Sequence, residues 1–255
     1  MQWYHTIELA PGNVTPGWFD LRSVPAKLPL PASLRGMRAL DVGTFDGFWA
    51  FELERRGADE VVAVDLLDPA RWDWPQAAPA AVIETLDARK RGGEGFLVAH
   101  EALRSSVTRL ERSVYELDPE ELGEFDLVYV GSLLLHLRDP VRALERVRRV
   151  CRGQLLVLDA IDPVLSVTHP RTPLARLDGV GRPWWWLPNV AGLRQMVSVA
   201  GFEVVGPVRR VTMPPGAGQR RVRPTLAGLR SRAVRRDLLG AWHGDPHAAV
   251  LARPC

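Results

Sequence analysis

Arg38-Ala39-Leu40-Asp41-Val42-Gly43-Thr44-Phe45-Asp46-Gly47-Phe48 decides how the rest of the chain is read. Its first residues make a short strand of the buried type that breaks at Gly43, and Gly47 opens a helix over 48–56 that stops at Gly57. Val61-Val62-Ala63-Val64-Asp65 follows as a second strand ending in an acid. Strand, helix and strand in so short a space require parallel pairing and a right-handed crossover. The alternation continues outward. Helices are expected over 80–88 and 96–103, a strand over 109–117, and a central strand at Phe125-Asp126-Leu127-Val128-Tyr129-Val130. Asp139 as N-cap with Pro140 in the first turn starts a helix whose apolar stripe is Val141, Leu144, Val147 and Val150. A strand over 154–160 and a helix over 190–200 capped by Asn189 come next, then two consecutive strands over 202–211 and 247–253. Five alternating strands and a terminal pair predict an α/β fold: a doubly wound, seven-stranded, mostly parallel sheet with an antiparallel last strand. Residues 1–36, rich in Pro, Gly and Trp and without a period, read as an irregular lead-in able to fold over a site as a lid. Residues 37–255 form the main domain, with an arginine-rich insert at 212–245 before the last strand.

In such a sheet, chemistry belongs at the carboxyl ends of the strands near the switch in strand order. Gly43 lets the backbone approach a ligand, and the helix after Gly47 offers amides to an anion. The spacing is G-x-x-x-G with acids at Asp41 and Asp46, which would repel the pyrophosphate of a dinucleotide. A ligand with an ammonium as well as a carboxylate suits it better, as in the methionine end of S-adenosylmethionine (SAM). Asp65, 24 positions after Asp41, stands where an acid bridges two ribose hydroxyls.

The stretch from Leu40 to Phe48 resembles motif I of class I SAM-dependent methyltransferases, whose fold is Rossmann-like. More narrowly, the chain resembles the branch of tRNA wobble-uridine (5-carboxymethoxyuridine-forming) methyltransferases and their bacterial relatives. The resemblance extends through Thr15-Pro16-Gly17-Trp18-Phe19-Asp20, Leu134-Leu135-His136-Leu137-Arg138-Asp139-Pro140, Trp185-Trp186-Leu187-Pro188-Asn189 and Ala200-Gly201-Phe202. It implies a cofactor site made of Asp41, Gly43, Thr44, Phe45, Asp46, Gly47, Asp65 and Leu66. Tyr115 would flank the adenine, Gly131 and Ser132 would lie beneath the methionine moiety, and Trp18 would close over the cofactor, as would Trp3 or Tyr4. Leu135 replaces the tyrosine that precedes the motif's histidine in enzymes using a carboxylated SAM, so ordinary SAM is expected, with S-adenosylhomocysteine (SAH) as the other product.

Methyl transfer needs an electrophilic sulfonium and a nucleophile in line with it, and a base only when the acceptor must lose a proton. His136, after the fourth strand, is the first candidate base, and His5 in the aromatic lead-in the second; each is weighed against a purely structural histidine. Of nine tryptophans, Trp185 and Trp186 are expected to form a substrate wall with Tyr4, while most others serve as apolar cover. Scattered histidines without a metal-ligand spacing predict no metal, and Cys151 reads as packing at a helix end. Two cysteines exclude a disulfide scaffold, and the absence of a long apolar run or a signal pattern makes a soluble, cytoplasmic protein the expectation. Residues 206–255 carry ten arginines and two acids, a net +8, against −5 on the rest. That asymmetry fits either an RNA surface or a solvated helix. The expected acceptor is a small aromatic or heteroaromatic metabolite. The alternatives are a tRNA wobble uridine and a SAM-binding protein that acts through a partner without transfer.

Overall fold

Short apolar segments that alternate with helices can bury both faces only by lining up in one sheet with helices on either side. A computed structural model describes residues 2–76, 80–177, 184–219 and 244–255 and shows this arrangement. The strands of the main sheet are β1 (Arg38–Val42), β2 (Glu60–Asp65), β3 (Thr108–Glu111), β4 (Phe125–Gly131), β5 (Cys151–Ala160), β6 (Phe202–Val204), β7 (Arg209–Met213) and β8 (Asp245–Pro254). Their order is β6-β8-β5-β4-β1-β2-β3, with β7 also paired to β8. β8 runs antiparallel to β5, β6 and β7, while β1 to β5 are mutually parallel.

The longer helices are α1 (Phe48–Arg55), α2 (Ala80–Lys90), α3 (Glu94–Leu103), α4 (Pro140–Val150), α5 (Pro163–Thr168) and α6 (Val190–Val199). The expected caps form: Asp139 accepts the Arg142 N–H at 3.0 Å and Asn189 accepts the Gly192 N–H at 2.7 Å. Each such cap contributes about 1 kcal/mol. Leu144, Val147 and Val150 of α4 are fully buried against Leu155 and Val157 of β5.

Four local readings need correction. The segment expected as a strand over 109–117 is β3 only to Glu111. Ser113 then accepts the Tyr115 N–H and Glu116 reaches back to the Ser113 N–H, which caps a helical turn at Val114–Glu116. The strand expected over 202–211 is two strands, β6 and β7, because the chain turns at Gly206-Pro207 and the proline has no N–H for the ladder. The sheet thus has eight strands at seven positions. Cys151 begins β5 rather than ending α4; it is buried, which pushes its thiol up to about 11. The lead-in is more regular than expected. Trp3–His5 pairs in parallel with Gly17–Phe19, and Glu8–Ala10 forms a hairpin with Asn13–Val14. Its Trp3, Ile7, Phe19 and Leu21 share one buried cluster with Ala39, Trp49 and Val61. Of the arginine-rich insert, residues 220–243 lie outside the described residues.

Candidate functional site

The turn after β1 is bound to the neighbouring strand: the N–H groups of Gly43 and Thr44 both point to the Val64 carbonyl, at 2.9 and 3.3 Å. Gly43 holds φ +82°, a left-handed conformation that favours glycine, and an added Cβ there would meet the Leu133 side chain at 3.4 Å. Asp65 at the end of β2 closes the turn. One carboxylate oxygen accepts the Phe45 N–H at 2.8 Å and the other accepts the Leu66 N–H at 2.8 Å. These contacts place turn and acid side by side in a cleft of about 2140 Å³ over the carboxyl ends of β1, β2, β4 and β5 and the amino end of β8. A single small ligand fills roughly 300–1,000 Å³, so the cleft has room for two.

Tyr4, His5, Trp18, Asp41, Gly43, Phe45, Asp65, Leu66, Tyr115, Gly131, Ser132 and His136 all line this cleft. Thr44, Asp46 and Gly47 do not. Asp46 is buried and works inward: it accepts the N–H groups of Tyr4 and His5 at 2.9 and 2.8 Å and pairs with His5 Nδ1. The glycine turn therefore pins the lead-in across the cleft through Asp46, and leaves His5 Nε2 as the nitrogen able to take a proton. At Gly47 a Cβ would fall 2.4 Å from the Phe51 ring, so that glycine serves the packing of α1. Thr44 is buried beneath the turn.

Trp185 and Trp186 correct the expected substrate wall, because neither lines the cleft. The Trp185 indole N–H is held by the Asp73 carbonyl with the Arg138 guanidinium over its ring, and the Trp186 indole N–H is held by the Arg138 carbonyl at 3.0 Å. Their neighbour Trp184 does line it, with Trp72 and Trp74, which stack on each other at 5.4 Å. Asp73 knits this rim: its carboxylate accepts the Tyr115 hydroxyl at 2.7 Å and the Arg138 N–H at 3.0 Å. Burial, with Asp73 beside it, pushes the Tyr115 phenol well above its ordinary range, so that hydroxyl stays a donor.

Two polar groups of the cleft, Lys90 and Tyr129, were missed by sequence reasoning. Lys90, one of two lysines in the chain, comes from α2 to pair with Asp65, its ammonium 4.6 Å from the Phe45 ring centre and 5.1 Å from that of Trp72. Burial pulls this ammonium below the usual lysine range, and Asp65 opposes that pull. A ribose diol on Asp65 must share the carboxylate with Lys90 or displace it. The rarity of lysine was the one available signal. Asp41 is buried, and one of its carboxylate oxygens has no hydrogen-bond partner among the described residues. Burial pushes it up to about 7. Beside it in register on β4, Tyr129 is equally buried, its hydroxyl unpartnered among the described residues and its ring stacked on Trp49 at 4.4 Å. Buried polar atoms left unpaired are costly, and here they face a cleft where a ligand can pair them. Asp159, at the end of β5, instead accepts three main-chain N–H groups, those of Leu133, Leu134 and Ala160. No group of three or more His, Cys, Asp or Glu fit to hold a metal occurs among the described residues, and no helix among them is long and apolar enough to cross a membrane.

Comparison with known proteins matches residues 40–157 to a family described as "Methyltransferase domain". A tRNA U34 carboxymethyltransferase of Pseudomonas aeruginosa is 29% identical over 174 residues, covering 66% of this chain and 46% of that protein. The chain thus spans about half the length of the curated relatives it matches. Among solved structures, magnesium protoporphyrin IX methyltransferase (ChlM) from Synechocystis PCC 6803 with bound SAH has a TM-score of 0.54 at 16% identity, over 92% of this chain and 82% of that one. The [4+2]-cyclase SpnF scores 0.52 at 19% identity, over 91% and 79%. Motif, sheet order and relatives agree: residues 40–157 match a methyltransferase domain, and the chain resembles the class I SAM-dependent methyltransferases and, at 29% identity, their wobble-uridine carboxymethyltransferase branch.

Proposed function

We propose that the protein transfers a methyl group from SAM to a small acceptor, aromatic or heteroaromatic in character. The observation that carries this reading is the division of one cleft into two unlike halves. The glycine turn, Asp41 with its unpaired oxygen, and Asp65 come from the ends of β1 and β2, while Ser132, His136, Trp184 and His247 come from the end of β4, the segments that follow β4 and β5, and the start of β8. The residues of the first half fit the cofactor. Asp41 suits its ammonium, Asp65 its ribose, and Leu66 with Tyr115 an adenine edge. Bound there, SAM supplies an electrophilic methyl on sulfur. The protein's part is to hold the acceptor in line, exclude water and, for an acceptor that is an acid, take a proton. Aromatic side chains around the opening give a planar acceptor flat surfaces to lie on.

His5 and His136 both reach the cleft, and they stand differently. His5 is buried and oriented by Asp46, as a base is oriented by a carboxylate; His136 lies in the helical turn after β4, its main-chain N–H on the Leu133 carbonyl at 2.9 Å. His5→Ala and His136→Ala are each expected to leave SAH affinity within about threefold and to slow methyl transfer by about 10- to 100-fold. Turnover equal to wild type from about pH 6 to 9 returns that histidine to a structural role.

The second reading is a tRNA wobble uridine, favoured by the names of the curated relatives and the +8 charge over residues 206–255. A third is SAM binding without transfer; a cyclase among the structural neighbours shows that the fold does not fix the reaction. Incubation with methyl-tritiated SAM and either total cellular RNA or a small-molecule extract decides among them. Label is expected in the small-molecule fraction and retained when residues 219–236 are deleted. Label in tRNA that disappears with that deletion, and falls steeply with salt, establishes the second reading instead. No label in either fraction, with SAM bound, favours the third.

A further inference from the structure

The last strand carries into the cleft a pair that the sequence leaves 115 residues apart. His247, near the start of β8, is 4% exposed, and its Nε2 lies 3.1 Å from Ser132 Oγ. Its Nδ1 lies 3.1 Å from the main-chain carbonyl oxygen of Asp245. A carbonyl only accepts, so Nδ1 carries the hydrogen. Burial pulls the imidazole down to about 4, which keeps the ring neutral and leaves Nε2 a lone pair. The Ser132 hydroxyl has one hydrogen, and Nε2 takes it. What the oxygen has left to present is its own lone pairs.

The position of this oxygen is enforced. Ser132 has φ +48°, a left-handed conformation that is strained for a serine, and its N–H is tied to the Leu158 carbonyl at 2.8 Å. The side chain is thereby turned across the end of β5 towards β8. In the sheet β8 lies three positions from β1, about 14 Å at the usual strand spacing. His247 therefore belongs to the half of the cleft away from Gly43 and Asp65, and Ser132, at the end of β4 beside β1, lies between it and the glycine turn.

We propose that His247 is a positioning residue that makes the Ser132 hydroxyl a fixed hydrogen-bond acceptor for the methyl acceptor, and that the molecule methylated presents an O–H or N–H donor to it. The proposal rests on the reading of the cleft as a methyl-transfer site and adds the chemistry of its second ligand. An acceptor recognised only through a carbonyl, an ether or a carboxylate would meet a lone pair with a lone pair and be disfavoured.

Phenol and anisole are the probes, since they share a ring and differ in the donor. In wild-type protein saturated with SAH, competition NMR is expected to show phenol binding about fivefold more tightly than anisole, the worth of one neutral hydrogen bond. Ser132→Gly accepts the left-handed backbone without strain and removes the hydroxyl, and it is expected to bring the two probes to parity. His247→Phe keeps the hydroxyl but frees its hydrogen to rotate, and is expected to lose most of the preference while Ser132 remains. A histidine ¹⁵N spectrum should also show Nδ1 protonated and Nε2 bare in wild type, with the Nε2 signal shifted in Ser132→Gly. Parity of the probes in wild type, or a preference that survives Ser132→Gly, overturns the proposal. SAH titrated separately by calorimetry keeps the two readings apart: wild type that fails to bind SAH refutes the cofactor site and not the pair.

Discussion

Replacing Asp65 with alanine is expected to weaken SAM and SAH binding by at least about 100-fold. Three losses coincide. The ribose loses its carboxylate, and the Phe45 and Leu66 N–H groups that shape the glycine turn lose their acceptor. The buried Lys90 ammonium loses its counter-ion, and an orphaned buried charge costs about 3–5 kcal/mol. Because the third loss strikes folding as well as binding, Asp65→Ala must be compared with the Asp65→Ala/Lys90→Met double variant. The double variant is expected to recover thermal stability and not affinity. Lys90→Met alone is informative in the other direction. If the ammonium competes with the ribose diol for the carboxylate, removing it leaves affinity unchanged or tightens it. Gly43→Arg, at φ +82° with Leu133 against the missing Cβ, should lose binding as completely without touching the ion pair. Calorimetry on folded protein is the measurement. Affinities unchanged in both Asp65→Ala and Gly43→Arg would take the cofactor out of this half of the cleft.

How far the sequence could be read depended on the range of the interactions involved. The β1 turn was legible because its determinants are local: Gly43 breaks a strand, Gly47 opens a helix, and both act within ten residues. The caps at Asp139 and Asn189 were legible for the same reason, since a cap reaches only three residues ahead. The antiparallel last strand followed from two strands in succession without a helix between them. What stayed hidden was set by contacts across the chain. Nothing near Asp46 in sequence announces that it faces His5, 41 residues away, rather than a ligand. Nothing near the tryptophan triplet says which of the three turns inward, because the choice is made by the Asp73 and Arg138 carbonyls that hold Trp185 and Trp186. His247 looked like one of several scattered histidines until the sheet order set β8 beside β5 and brought it to Ser132. Residue identity thus marked the glycine turn and its acids, and only topology brought Ser132 and His247 together.

Asp41 should make both folding and cofactor binding depend on pH, with opposite signs. Its carboxyl stands at about 7 in the folded protein because burial penalises the charged form, whereas in an unfolded chain it titrates at its ordinary 3.8. Between those values the folded state holds a proton that the unfolded state has released. Stability therefore falls as pH rises from about 4 and is lowest above about 7, by an amount on the order of 2–4 kcal/mol. Asp159, pushed up to about 6 by burial and restrained by the N–H groups it accepts, contributes a smaller change of the same sign. Asp41→Asn removes the larger part, and its melting temperature is expected to exceed that of wild type at pH 8 and to match it near pH 4. Binding runs the other way. An ammonium placed against the unpaired Asp41 oxygen favours the carboxylate, so cofactor uptake expels the proton and affinity rises with pH up to about 7. At pH 6, titrations with SAM in buffers of different ionisation heat should report close to one proton released. A carboxamide at this position can neither supply the charge nor release the proton, so the Asp41→Asn variant is expected to bind about 10- to 100-fold more weakly at pH 8, with a flat pH profile. No proton release in wild type, or a pH profile unchanged by Asp41→Asn, would mean that the ammonium is held elsewhere and that Asp41 is buried for the sake of the turn alone.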